Sequence, residues 1–189
     1  TKFGIGPVIE NGFYYDFDLL QSLTPENLLK IEVRMKELVR RNISFEKKSI
    51  LKEEAKKFFK NQPYKLELLN EFYPKKSSGK VSVYKSGEFT DLCKGSHIKS
   101  TKEIPLEGFK LTKLAGAYWR GSEKNPMLTR IYGVAFSSKK ELNEYLALET
   151  EAEKRDHRKL GEKLDLFSFH DISPGAAFWH PKGMIIFKE

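Results

Sequence analysis

GPVIENGFYYDFD, residues 6–18, sets two apolar stretches on either side of an Asn11-Gly12 pair. That arrangement is a short-range signal for a β-hairpin whose turn takes positive φ. An amphipathic helix is expected next, over 25–41. Thr24 stands at its capping position, Pro25 at its first helical position, and Leu28, Ile31, Met35 and Leu38 recur at helical spacing. Its other face carries Lys30, Arg34, Lys36, Arg40 and Arg41. A shorter helix at 52–60 should turn Ala55, Phe58 and Phe59 inward. Strands are expected in series at YKLELL (64–69), VSVYK (81–85), EFTDL (88–92), FKLTKL (109–114) and RIYGVAF (130–136), and the composition of YPKKSSGK (73–80) marks a loop. The fold class is therefore α+β: a mixed or antiparallel sheet with packed helices.

The character of the chain changes at Ser137. In SKKELNEYLALETEAEKRDHRKLGEKL (138–164), Ser138 and Glu141 have capping-box spacing, and the stripe of Leu142, Tyr145, Leu146, Glu149 and Ala152 fades into charge. A helix of roughly twenty-five residues with so polar an end suits a bridge between domains. Beyond Gly161, LDLFSFHDISPGAAFWHPKGMIIF is aromatic, rich in Pro and Gly, and strand-like. The expected division is 1–136, 137–164 and 165–189. The opening TKFGIGPVIE and the closing GMIIFKE both sit inside strand-like or apolar runs, as expected of a piece of a longer chain.

Among the 189 residues, 39% are hydrophobic and 32% charged, with a formal net charge of +8. The basic excess favours a polyanionic partner, either nucleic acid or an anionic membrane surface. No apolar run approaches the roughly eighteen residues a bilayer crossing requires, and no secretory signal is present, so no membrane role is expected. Cys93 is the single cysteine. It cannot form an internal disulfide, which fits a reducing, cytoplasmic setting.

DLCKGSH, residues 91–97, joins an acid, a thiol and an imidazole. A zinc site needs three or four protein ligands, whereas Cys93 and His97 supply two; His157, His170 and His180 lie beyond the domain break. A thiol nucleophile with its base is a second reading, but nothing local activates the thiol. The plain alternative makes Cys93 a small buried hydrophobe and His97 a loop residue. Asp91 ends an apolar strand, Gly95 permits a tight turn, and Lys99, Lys102 and Lys110 follow. That neighbourhood favours chemistry over packing. In AYWRG, Arg120 stands beside Tyr118 and Trp119, a phosphate binder next to flat rings suited to a single-stranded RNA end. The same residues read equally well as core aromatics beside a surface charge.

With IGPVIENGFYYDFD (5–18), YKLELL, DLCKGSH, AGAYWRG (115–121), MLTRIYG (127–133), EKRDHRKLGEKLDLF (153–167) and FWHPKG (178–183) in this order, the chain resembles the threonyl-tRNA synthetase family along essentially its whole length. The resemblance implies an editing domain at 1–136, a linker helix at 137–164 and the first strands of a class II aminoacylation domain at 165–189. It implies that seryl-tRNA, made in error with the threonine tRNA, is hydrolysed here. The editing residues it carries over are Asp91, Cys93 and His97 from the motif, Lys65 from YKLELL and Tyr15 from GFYYDF. Ser96 departs from the family's usual proline. Two further family histidines, spaced i and i+4, belong upstream of IGPVIENG, and related alanyl-type editing proteins bind zinc with such a pair plus a Cys…His pair. Cys93 and His97 would thus be half of a metal site. No cofactor is expected in this segment alone, whereas ATP, magnesium and zinc are implied for the intact enzyme.

The implied partners are the acceptor end of the threonine tRNA, with threonine, serine and ATP for the whole enzyme as a cytoplasmic homodimer. Lys154, Arg155, Arg158 and Lys159 would track the acceptor stem. A threonine pocket gains only about 1–3 kcal/mol from one methyl group, so a second sieve against serine is needed. In that sieve His97 would activate or position water, Lys65 would support the oxyanion, Asp91 would hold the substrate's ammonium or hydroxyl, and Cys93 would narrow the pocket. Two alternatives compete, a free-standing alanyl-type trans-editing deacylase and a non-catalytic tRNA-binding module. FWHPKGMIIF disfavours the first of them, since a free-standing deacylase has no need of an entry into a synthetase core.

Overall fold

The computed structural model describes residues 1–72 and 79–189. The expected loop at 73–80 lies almost wholly outside the described residues. The chain divides into two compact units, Thr1–Leu142 and Asn143–Glu189.

The first unit opens with β1 (Lys2–Phe3), β2 (Val8–Ile9), β3 (Gly12–Asp18) and α1 (Pro25–Arg40). There follow β4 (Phe45–Leu51), α2 (Lys52–Phe58), α3 (Pro63–Phe72), β5 (Lys80–Ser86), β6 (Phe89–Leu92), β7 (Phe109–Tyr118) and β8 (Met127–Ala135). Two antiparallel sheets result: five strands in the order β1-β3-β8-β7 with β2 also on β3, and three strands in the order β4-β5-β6. The α+β class stands.

The β2–β3 hairpin forms, but Ile9 pairs with Gly12, so its turn is Glu10–Asn11 rather than Asn11-Gly12. Positive φ falls on Asn11 alone (59°). Gly12 is needed for another reason: a Cβ there would sit 2.2 Å from the Gly133 carbonyl oxygen on β8. Helix α1 starts as expected, with the Thr24 amide donating to Asn27 Oδ1 at 2.8 Å. Its Leu28, Ile31 and Met35 pack on Phe13, Phe17, Leu111 and Ile131 of the larger sheet.

The main correction is YKLELL, expected as a strand and found within helix α3. Alternation in six residues suits either structure; the buried positions Tyr64, Lys65, Leu68 and Leu69 follow a helical stripe instead. Pro63, whose missing N–H costs nothing at a helix start, opens it. The helix sits between the sheets. Leu69 joins Ala55, Phe59, Val81 and Val83 against the smaller sheet, while Tyr64 and Leu68 join Leu128 of the larger one and Trp119 just past the end of β7. Leu69 is fully buried, and such a side chain contributes about 1.5–3 kcal/mol. Phe58, expected inward, is 59% exposed. Strand β4, FEKKSIL, was unanticipated because four successive residues in it are exposed; it is an edge strand, where charges discourage further pairing.

In the second stretch the expected single helix is two, α4 (Lys139–Lys154) and α5 (His157–Lys163). Asp156 divides them by capping α5, its carboxylate accepting from the Arg158 amide at 2.8 Å. Strands β9 (Phe167–Ser168) and β10 (Phe178–Trp179) form an antiparallel pair. PKGMIIFK, read as strand-like, is helix α6 (Pro181–Lys188), again begun by proline. Among the described residues, no helix is long and apolar enough to cross a membrane.

Candidate functional site

Three elements of the first unit converge on one carboxylate. Strand β3 supplies Tyr15, helix α3 supplies Lys65 and strand β6 supplies Asp91. The Tyr15 hydroxyl donates to Asp91 Oδ2 at 2.5 Å, and Lys65 Nζ pairs with Asp91 Oδ1 at 2.6 Å. Lys65 also donates to the Tyr15 oxygen at 3.0 Å, closing a triangle. The backbone N–H of Leu92 adds a donor to Oδ1 at 2.7 Å. A carboxylate has about four acceptor sites; among the described residues three are taken, and the one left open is on Oδ2.

Lys65 is 3% exposed. Burial lowers its pKa from the ordinary 10.5, while the Asp91 charge opposes that fall. Burial, and then Asp91, raises the Tyr15 phenol well above its ordinary 10.0. Tyr15 therefore stays a donor throughout the physiological range.

Beyond β6 the chain passes through Cys93 to His97. Cys93 is fixed by its backbone, whose carbonyl accepts from Ser82 Oγ at 2.5 Å. The His97 imidazole lies on the Tyr84 ring, centroids 3.9 Å apart and planes 25° apart. Phe45 approaches it at 5.6 Å. A cavity of about 550 Å³ is lined by Tyr15, Lys65, Asp91, Cys93 and His97 together. The structure thus gathers all five residues expected of the editing site. Its walls include Tyr84, Phe45, Phe72 and Phe89, none of them anticipated. The signal for Tyr84 was present: with a turn at Gly87, β5 and β6 pair Tyr84 directly with Asp91.

The residues present do not make a complete metal centre. Among the described residues, no group of three or more His, Cys, Asp and Glu side chains is arranged to hold an ion. Asp91 is occupied by Lys65 and Tyr15, leaving Cys93 and His97 as two donors where zinc takes three or four.

Within AYWRG, Trp119 is arranged for packing. Trp119 is 4% exposed, lies against Tyr64 at 4.9 Å, and donates its indole N–H to Glu67 at 2.6 Å. It has no free face for a base, which corrects that expectation. Arg120 pairs with Glu67 at 3.5 Å and with Glu71. Tyr118 keeps 36% exposure. Lys154 and Arg155 each pair with Glu151, and Arg158 with Asp156.

Residues 81–132, which include most of β5, β6, the DLCKGSH loop, β7 and most of β8, match the threonyl and alanyl tRNA synthetase second additional domain. The chain is 53% identical over 191 residues, 100% of its length, to the threonine–tRNA ligase of Thermotoga petrophila. It is 53% identical over 97% of its length to that of Borreliella burgdorferi, and 54% identical over 98% to that of Dehalococcoides mccartyi. It spans 29% of the first of these relatives and 31% of each of the other two. The domain is thus of the class of second additional domains that threonyl- and alanyl-tRNA synthetases share. The chain belongs to the threonyl-tRNA synthetase family, as a segment that carries this domain.

Proposed function

We propose that the first unit hydrolyses seryl-tRNA made in error on the threonine tRNA, through the cavity lined by Tyr15, Lys65, Asp91, Cys93 and His97. The observation that carries this reading is the Tyr15–Asp91–Lys65 triangle opening onto one cavity with an imidazole and a thiol. The open lone pair of Asp91 Oδ2 takes the substrate's ammonium or its serine hydroxyl. His97 removes a proton from water as it attacks the ester carbonyl, and Lys65 supports the oxyanion. Collapse of that intermediate breaks the ester bond, and the imidazolium returns its proton to the departing ribose oxygen. Cys93 narrows the wall against threonine's extra methyl group.

The domain reading goes with it: 1–136 for editing, 137–164 as linker, 165–189 as the start of a class II aminoacylation domain. The whole protein would attach threonine to its tRNA with ATP and magnesium, as a cytoplasmic homodimer. The formal charge of +8 supports a polyanionic partner such as tRNA. Affinity for the tRNA should then fall steeply with salt as counterions are released; a flat double-logarithmic plot would remove electrostatics from the account.

The direct test is deacylation of matched seryl- and threonyl-tRNA by the full-length enzyme containing this segment. Seryl-tRNA should be hydrolysed and threonyl-tRNA spared; equal rates on both would refute the sieve. His97→Ala should abolish seryl-tRNA hydrolysis and leave threonine charging nearly intact, whereas parallel loss of both would refute separate sites. The 189-residue chain alone should hydrolyse poorly beside a version extended upstream. Equal rates would show that these residues form the working site without the upstream histidines.

A further inference from the structure

We propose that Tyr84 is the positioning residue for His97, fixing the plane of its imidazole so that the ring edge faces the cavity. This rests on the editing reading for its kinetic consequence, but the contact itself does not. His97 lies in a segment between β6 and the Ser100 bridge that has no helix or strand of its own. The segment is tied at its ends. The Ser82 carbonyl accepts from the Cys93 amide at 3.4 Å, and the Lys99 carbonyl accepts from the Phe45 amide at 2.9 Å. Between those ties, no described residue hydrogen-bonds either nitrogen of His97, and the ring is exposed. A base catalyst is ordinarily oriented by a hydrogen bond at its second nitrogen. Here the orienting contact is a stack, 3.9 Å between centroids and 25° between planes.

The position of Tyr84 follows from register. Lys47, Tyr84 and Asp91 are direct cross-strand partners in β4, β5 and β6, so their side chains share one face. Val81 and Val83, at the alternate positions of β5, turn the other way into the core. The same row that holds Asp91 therefore holds the platform under His97, and the Phe45 ring lies 5.6 Å from the imidazole, tilted 41° to it. Stacking leaves both ring nitrogens in the plane, where water in the cavity can meet them. Displacement of a reacting group by about 1 Å costs about a hundredfold in rate. That is the scale of what the platform protects.

The test has two independent readouts. In proton NMR of the 189-residue chain, the His97 ring signals, assigned by their loss in His97→Gln, should lie upfield under the Tyr84 ring current. They should move back downfield in Tyr84→Leu and remain upfield in Tyr84→Phe and Tyr84→Trp. In the full-length enzyme, Tyr84→Leu should lower seryl-tRNA turnover about a hundredfold with KM close to the parent's, and Tyr84→Phe should restore most of it. Parental His97 signals without an upfield shift overturn the proposal even if the leucine variant fails to fold. So does an equal loss of turnover in the phenylalanine and leucine variants. A parent that shows the upfield shift but no seryl-tRNA hydrolysis refutes the editing reading and supports the stack alone.

Discussion

Strand β3 carries Tyr15 and Asp16 in succession, and the two enter differently built ion clusters on opposite faces of the sheet. Asp16 faces Arg130 directly across the β3–β8 ladder. The guanidinium grips both carboxylate oxygens, at 2.6 and 2.8 Å, and lies 3.8 Å from the Tyr14 ring centroid. Its hydrogen bonds to Asp16 raise the Arg130 pKa further, so this guanidinium keeps its proton throughout. Asp91 instead draws its partners from three elements and from positions 76 and 26 residues away in sequence. Its cation is a lysine whose pKa burial lowers, and one of its oxygens keeps an open lone pair. Asp16 lies outside the lining of the cavity; Asp91 lies within it. A bidentate arginine fastens two strands. A lysine and a phenol around an unsaturated carboxylate leave something for a substrate to complete.

The largest effect should come from the fastening. Asp16→Asn leaves Arg130 without its counter-charge and should lower stability by about 3–5 kcal/mol in chemical denaturation, as for other buried pairs broken on one side. Seryl-tRNA hydrolysis per folded molecule should stay near the parent's. Asp91→Asn should show a different pattern: a loss of about a hundredfold or more in hydrolysis with a smaller loss of stability, because buried Lys65, unlike Arg130, can relieve its unpaired charge by giving up its proton. Smaller again is Tyr15→Phe, which removes one donor to Asp91 and one acceptor from Lys65; a single such bond is worth about 1.5–3 kcal/mol. If Asp16→Asn and Asp91→Asn affect stability and hydrolysis alike, the contrast between the two clusters fails.

The two clusters also differ in how far they could be read from sequence. Short-range signals located the elements around Asp16: the NG-type hairpin gave β3, and RIYGVAF gave most of β8. Their pairing, and hence Asp16 opposite Arg130, was not anticipated, because the register between two strands more than a hundred residues apart is decided by close approaches such as Gly12 against Gly133. The five site residues were named through resemblance and do converge on one cavity. Their elements were only partly legible. Lys65 sits on a helix because Leu68 and Leu69 pack toward different sheets, a tertiary demand that the alternation of YKLELL conceals. Trp119 was ambiguous for a similar reason: an aromatic beside an arginine suits RNA or core equally until Glu67 and Tyr64 are seen to occupy it. The break at Asp156 was visible in principle, since aspartate favours a cap over a helix interior.

The smallest expected effect is alkaline, and it sets the buried tyrosines against the buried lysine. Tyr64, hydrogen-bonded to Asp18, is pushed up to about 12 from the ordinary 10.0, mainly by burial. Tyr15 is raised as well, by burial and then by Asp91. A group whose folded pKa exceeds its unfolded value keeps its proton better in the native state, so its contribution is complete below pH 10.0 and is lost as pH rises toward about 12. Lys65 acts oppositely. Its folded pKa lies below 10.5, so the cost of holding its charge in the interior is present at low pH and is relieved as the lysine loses its proton. Arg130 adds no slope. Stability against denaturant should therefore hold or rise slightly with pH up to about 10 and fall beyond it. Tyr64→Phe should flatten the fall and remove one late component from the tyrosinate absorbance titration. Hydrolysis should decline on the lysine side of that range while the fold is still intact, because Lys65 loses its charge there. Loss of activity only in step with unfolding would show that the lysine's charge is structural, like that of Arg130.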